Sequence, residues 1–127
     1  MDVILDTNAV SALLSGDTDL AHVLEPSERH HLPVIVIGEC RYGLARSRYR
    51  ETLNVFLETL IRESLVLRVD EATTVHYAAI RNELREKGHP IPENDVWIAA
   101  LARQHKQSIV SRDEHFDAVV GTERLGW

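Results

Sequence analysis

The sequence is short of cysteine, of basic charge and of long apolar runs. One cysteine, Cys40, in 127 residues excludes an intramolecular disulfide framework and any multi-cysteine zinc site. It suits a reducing compartment. No apolar stretch approaches the ~20 residues that a bilayer-spanning helix needs. The N-terminus reads Met1-Asp2-Val3-Ile4-Leu5-Asp6. An acidic second residue and so brief an apolar stretch do not make a signal peptide, so a cytoplasmic location is expected. Six Gly and four Pro are too few for a collagen-like or low-complexity chain. Fourteen Lys and Arg stand against twenty Asp and Glu, a formal charge of −6. A protein that binds nucleic acid by charge alone would be basic, so passive polyanion binding is disfavoured. An acidic balance stays compatible with a nucleic-acid substrate where a metal ion offsets local carboxylates.

What remains is globular composition, with 44% hydrophobic and 27% charged residues. The length suits one domain with its own core, so 1–127 is expected to be a single domain. Short apolar runs alternate with longer helical patterns. Val3-Ile4-Leu5 predicts a buried strand, followed by helices over about 8–15 and 19–25. Ser27 to His31 reads as polar loop, and Pro33-Val34-Ile35-Val36-Ile37 as the second strand, since four of its residues are β-branched. Leu53, Phe56, Leu57, Leu60 and Ile61 repeat at i, i+3, i+4, i+7 and i+8, which predicts an amphipathic helix over about 49–63. Leu65 to Val69 predicts a third strand. Asp70 is a natural N-cap for a helix of about 71–87, which Gly88 closes. A helix of about 93–106 is apolar on nearly every side from Val96 to Ala102. Ser108 to Ser111 predicts a fourth strand, and Leu125 to Trp127 a short fifth one.

Strands alternating with helices imply an α/β fold, a parallel sheet covered on both faces. Ligands in such folds bind beyond the carboxyl ends of the strands. Asp6 follows the first strand, Glu39 the second and Asp113 the fourth, while Asp95 lies in the first turn of the apolar helix. Each acid alone has a structural use. Asp6 could cap a helix, Glu39 and Asp95 could face a helix dipole, and Asp113 could make an Asx turn. Asp70 is assigned to its cap outright. Together the others are harder to explain by folding alone. Asp95 heads a helix with almost no polar face, where an uncompensated carboxylate is costly. Carboxylates converging in one cleft hold protons or hold a cation. With no Cys or His at ligand spacing, Mg²⁺ or Mn²⁺ fits such a cluster better than zinc.

Four pieces of the sequence carry a resemblance. They are Leu5-Asp6-Thr7-Asn8, Gly38-Glu39 with Arg41-Tyr42-Gly43, Asn94-Asp95 with Ile98-Ala99-Ala100, and Ser111-Arg112-Asp113 with His115-Phe116-Asp117. In this order and spacing the chain resembles a PIN domain, and more closely the VapC-type toxin ribonucleases of type II toxin–antitoxin systems. The resemblance covers the whole chain. It implies a three-layer α/β/α sandwich with a parallel sheet of four to five strands, metal-dependent cleavage of RNA, homodimers, and inhibition by a cognate antitoxin. Operator DNA would be reached only through that antitoxin. The family's acidic quartet falls on Asp6, Glu39, Asp95 and Asp113. Asn8 matches a polar position that orients the first acid, and Asp117 a position that is sometimes acidic near the metal.

Hydrolysis of a phosphodiester needs an activated water, charge relief on the phosphoryl oxygens and a stabilised leaving oxygen. Asp6, Asp95 and Asp113 are expected to hold Mg²⁺ or Mn²⁺, directly or through water. Glu39 either completes that shell or orients the attacking water. Products with 5′-phosphate and 3′-hydroxyl ends are expected. Of seven histidines only His115 lies near the acids, and it reads as a turn residue. His30 and His31 read as solvated. Arg41, Arg46 and Arg48, in the Arg-rich stretch after Glu39, and Arg112 are candidate contacts to RNA phosphate or to an antitoxin. Cys40 reads as a small buried apolar residue, Trp97 as core or dimer interface, and Trp127 as packing over the last strand.

Other readings compete. A haloacid-dehalogenase-type phosphotransferase needs an acid two residues after the first Asp, where this chain has Asn8. A P-loop enzyme is excluded because no Gly-rich phosphate loop is present. The non-enzymatic alternative is a dimeric interaction module that acts through a bound partner.

Overall fold

The structure, a computed structural model, describes residues 2–27 and 29–127. The first strand, β1 (Asp2–Leu5), carries Val3, Ile4 and Leu5 with no exposed surface. A strand apolar on consecutive positions is buried on both faces, as in parallel sheets with helices on either side. Helices α1 (Thr7–Leu14) and α2 (Thr18–Leu24) lead to β2 (Arg29–Pro33), and α3 (Val34–Leu44) and α4 (Arg50–Glu63) lead to β3 (Leu65–Leu67). Helices α5 (Glu71–Glu86) and α6 (Glu93–His105) return the chain to β4 (Ser108–Val110). A 3-10 helix (Glu114–Ala118) connects β4 to β5 (Arg124–Leu125).

All four strand pairings are parallel, in the order β3-β2-β1-β4-β5. The first crossovers run outward on one side of β1 and the later ones on the other. The strand order therefore reverses between β1 and β4, where a crevice opens beyond the carboxyl ends. Core side chains come from both layers: Leu20, Leu57, Ile80, Ile98 and Leu101 are fully buried against the sheet. No helix among the described residues is long and apolar enough to cross a membrane.

The second strand departs from the sequence expectation. It spans Arg29–Pro33, and Val34 to Ile37 form the first turn of α3. The register explains the shift. Asp2, Val3 and Ile4 pair with Arg29, His30 and His31, so the ladder is taken up before Val34. Pro33 closes the strand and serves as the N-cap, with φ −61° and ψ 138°, a backbone its ring favours. Val36, Ile37 and Cys40 then bury one helical stripe. His31 is consequently a buried strand residue and not a solvated one; Glu28 of that expected loop lies outside the described residues. The third strand ends at Leu67, before Val69.

Candidate active site

Asp6 leaves β1 at the strand-order reversal. Its backbone N–H donates to Val110 O at 3.1 Å, extending the ladder by one residue, and its own carbonyl accepts from Val10 N to start α1. It occupies the N-cap position of α1, yet its carboxylate does not cap the helix. The side chain turns into the crevice, where the residue is 4% exposed. Ser111, fully buried just beyond β4, donates its hydroxyl to Asp6 Oδ2 at 2.6 Å. The Ser111 oxygen also accepts from Asp113 N at 2.9 Å and from Asn8 Nδ2 at 3.3 Å. Asn8 Oδ1 accepts from Arg112 N at 3.1 Å. The ends of β1 and β4 are thus laced together by side chains.

Glu39 reaches the same crevice from the second turn of α3, not from a strand end. Thr7, the first residue of α1, donates its hydroxyl to Glu39 Oε1 at 2.8 Å. Asp95 enters from the first turn of α6 and is buried. Asp113 caps the 3-10 helix by accepting from His115 N at 3.0 Å, the Asx-type role that its sequence allows. Asp6, Thr7, Asn8, Ser11, Glu39, Asp95 and Asp113 line one open cleft of about 350 Å³. The four acids come from four separate parts of the chain.

The electrostatics of the cleft are unfavourable as they stand. Burial pushes the Asp95 carboxyl up to about 6, against the pull of His115 and with the help of Asp6 and Asp113. Burial likewise raises Asp6; the Ser111 hydroxyl offsets part of this, while Glu39 and Asp113 add to it. His115 provides local relief. Its Nδ1 lies 3.3 Å from Asp95 Oδ2 and 2.8 Å from Asp113 Oδ1, where its pKa is raised chiefly by the bond to Asp95. Asp95, Asp113 and His115 offer ligand atoms within 4.8 Å of one another. A divalent cation fits this donor set: the oxygens are hard, partly buried and undercompensated. The imidazole corrects the expectation that no histidine stands at ligand spacing. It is compatible with Mn²⁺, which takes oxygen-rich sites with an occasional nitrogen.

Other expected site residues lie elsewhere. Asp117 is tied bidentately to Arg124, Oδ1 to Nε at 2.8 Å and Oδ2 to Nη2 at 3.0 Å, and does not line the cleft. Arg41 pairs with Glu58 at 2.9 Å, bridging α3 and α4. Arg46 lies over the Tyr42 ring at 4.6 Å, and Arg48 is exposed. Cys40 is buried, and burial pushes its thiol up to about 11, away from the thiolate form. Trp97 is half-buried and stacks on Tyr77 with ring centroids 3.8 Å apart. Thr7, Ser111 and His115 are the site residues that sequence reasoning passed over. Thr7 follows Asp6, and Ser111 stands two residues before Asp113, each just past a buried strand, and that position is the signal that marks them.

A model of the PIN domain matches residues 3–121. The chain belongs to the PIN domain family. Within the family it is similar to VapC proteins. Ribonuclease VapC5 of Mycobacterium tuberculosis is 30% identical over 120 residues, which cover 93% of this chain and 87% of that protein. Toxin FitB of Neisseria gonorrhoeae is 30% identical, with 87% of each chain covered. Among solved structures, DNA-bound VapBC from Salmonella typhimurium superimposes with a TM-score of 0.87 at 25% identity, covering 100% of this chain and 98% of that one. VapBC-1 of nontypeable Haemophilus influenzae gives 0.86 at 26% identity, again covering 100% and 98%. The five-stranded parallel sheet between helical layers is therefore the PIN fold.

Proposed function

We propose that this PIN domain, acting as one nuclease unit over 1–127, is an endoribonuclease dependent on Mg²⁺ or Mn²⁺ and the toxin of a toxin–antitoxin pair. The observation that carries the reading is the convergence of Asp6, Glu39, Asp95 and Asp113 on one cleft at the strand-order reversal. The names of the relatives support RNA as substrate: two of them are a ribonuclease and a toxin. The solved VapBC complexes, one of them bound to DNA, support an antitoxin partner that brings the pair to operator DNA. A homodimer and a cytoplasmic location belong to the same reading.

Asp6, Asp95 and Asp113 are the residues that would hold the ion, with His115 beside them. When bound, a divalent ion supplies the positive charge and Lewis acidity that hydrolysis of a phosphodiester requires. Ser111 keeps Asp6 in one rotamer by a short, buried hydrogen bond, so this carboxylate needs no reorganisation when substrate arrives. Asn8 fixes the Arg112 backbone and thereby the turn that presents Asp113. Glu39, with Oε1 held by Thr7, keeps its other oxygen for the attacking water, which it orients and whose proton it takes. Attack by that water breaks the bond from phosphorus to the 3′ oxygen, which takes a proton from solvent, giving 5′-phosphate and 3′-hydroxyl ends.

The test is cleavage of total RNA by antitoxin-free protein, with the ends mapped chemically. Fragments with 5′-phosphates that vanish in EDTA support the reading. Ends with 2′,3′-cyclic phosphates, or cutting that survives EDTA, exclude it. Folded protein that binds a partner but never cuts would favour the interaction module.

A further inference from the structure

Beside the acid cleft is a second hollow of about 520 Å³, lined by His89, Arg112, Asp113, Glu114 and His115. Asp113 lines both. The second hollow thus starts at one of the four acids and leads past the turn after β4 towards the loop after α5. Three of its five side chains present nitrogen, and Arg112 carries a permanent charge. Of its acids, Asp113 is engaged by His115, and the charge of Glu114 is felt by Arg124, whose pKa it helps to raise.

Arg112 is held in an unusual way for an exposed arginine. Its guanidinium carbon lies 4.6 Å from the centroid of the Trp127 ring. Its Nη2 donates to Asp17 Oδ2 at 3.4 Å. The same oxygen accepts from Trp127 Nε1 at 3.2 Å, while Asp17 Oδ1 accepts from Leu20 N at 3.1 Å and caps α2. At its base, Arg112 N donates to Asn8 in the acid cleft. Base, face and one edge are fixed, yet the side chain remains 55% exposed. Its other N–H donors have no partner among the described residues. A guanidinium ordered before its ligand arrives loses little freedom on binding.

We propose that Arg112, held by Trp127 and Asp17, binds the RNA phosphate next to the scissile one, with His89 across the hollow as a second donor. The inference rests on the ribonuclease reading. An RNA strand with one phosphate at the acids must carry the next phosphate past the rim, and Asp113 joins the two hollows. A planar guanidinium suits a phosphate by two parallel hydrogen bonds. Arg112 and His89 are binding residues; Trp127 and Asp17 are positioning residues.

The experiment uses the full chain and a short mixed-sequence single-stranded RNA. Affinity is measured against salt concentration in an Asp6→Asn background, and steady-state cleavage is measured with Asp6 intact. Arg112→Ala is expected to raise KM about tenfold while kcat stays within about twofold, and to lower the salt slope of binding by about 0.7, the single-strand value for one phosphate contact. Trp127→Ala is expected to raise KM by a similar factor and to add nothing to Arg112→Ala. Trp127→Phe keeps a ring under the guanidinium and restores most of the affinity. Melting curves identify any variant that fails to fold, and the exposed Arg112→Ala and Arg112→Lys pair then carries the test. An unchanged KM and salt slope in Arg112→Ala, with wild type still cutting, overturns the inference alone. So does an Arg112→Ala that is silent on RNA but loosens the complex with an acidic antitoxin segment. Wild type that neither binds nor cuts RNA overturns the ribonuclease reading as well.

Discussion

Ser111 and Asp6 lie 105 residues apart in sequence and share a buried 2.6 Å hydrogen bond that ties the ends of β4 and β1 together. The bond serves the fold and the site together. It satisfies a carboxylate that is almost without solvent, and it fixes that carboxylate's position in the cleft. Ser111→Ala leaves Asp6 Oδ2 without its donor and removes the acceptor for Asp113 N. Leaving buried polar groups unpaired costs about 1–3 kcal/mol. A matching loss in denaturant unfolding is expected, together with a fall in cleavage larger than that of any exposed substitution. An unchanged midpoint would show that the two groups are solvated instead.

The cleft makes the metal-free protein sensitive to pH. Asp95 has its pKa raised from 3.8 to about 6, so the folded state holds this proton more tightly than the unfolded state does. Its contribution is fully favourable below about pH 4 and is lost as pH rises through about 6, on the order of 3 kcal/mol in all. His115, also raised in the folded state, contributes stability that is full below its ordinary value and is lost as pH rises through its folded one. Both effects have one sign, so melting of the metal-free protein should fall from about pH 4 upward, through about 6 on account of Asp95 and above 6.5 on account of His115. Asp95→Asn should flatten the lower part of that window and His115→Gln the upper part.

Adding a divalent ion should reverse this loss. At a concentration 100 times its Kd, an ion that binds only the folded state stabilises it by about 2.7 kcal/mol. Thermal shift with Mn²⁺ at pH 7.5 should raise the melting temperature of wild type and of Asp117→Asn. It should leave Asp6→Asn and Asp95→Asn nearly unmoved. A shift that survives in Asp6→Asn would place the ion elsewhere.

Acids outside the cleft should behave differently. Asp70 accepts from Thr73 N at 3.1 Å, and Thr73 Oγ1 accepts from Asp70 N, a reciprocal cap on α5. Asp70→Ala is expected to cost about 1 kcal/mol of stability and to leave kcat and KM of RNA cleavage unchanged. A loss of kcat out of proportion to the melting shift would mean that α5 is coupled to the site.

Much of this architecture could be read from residues, for physical reasons that also show where reading failed. The apolar triplet Val3-Ile4-Leu5 and the run from Val96 to Ala102 announce elements buried all round; the triplet is, and the run is except for the half-buried Trp97. Asp70 announces its cap. The segment Val34 to Ile37 misleads because β-branched residues favour strands only where a ladder is available. Here Arg29 to Pro33 already fill that ladder. The stripe of Val36, Ile37, Cys40 and Leu44 carried the helical signal that propensity outweighed. The positions of Asp6 and Asp113 follow from strand ends. Thr7 bonded to Glu39 and His115 set between Asp95 and Asp113 do not, because each depends on how distant elements pack. Asp117 stands apart from the quartet as a position only sometimes acidic near the metal, and its pairing with Arg124 takes it out of the cleft.

The most direct measurement compares RNA cleavage by wild type and Asp6→Asn, each with Mg²⁺, with Mn²⁺ and with EDTA, after both proteins are shown to be folded. The substitution changes charge and not shape, so it isolates the carboxylate's role. Cleavage by wild type with metal, lost in EDTA and reduced by at least about a hundredfold in Asp6→Asn, is the predicted result. Equal cleavage by the two proteins, or cleavage that persists in EDTA, would contradict the account.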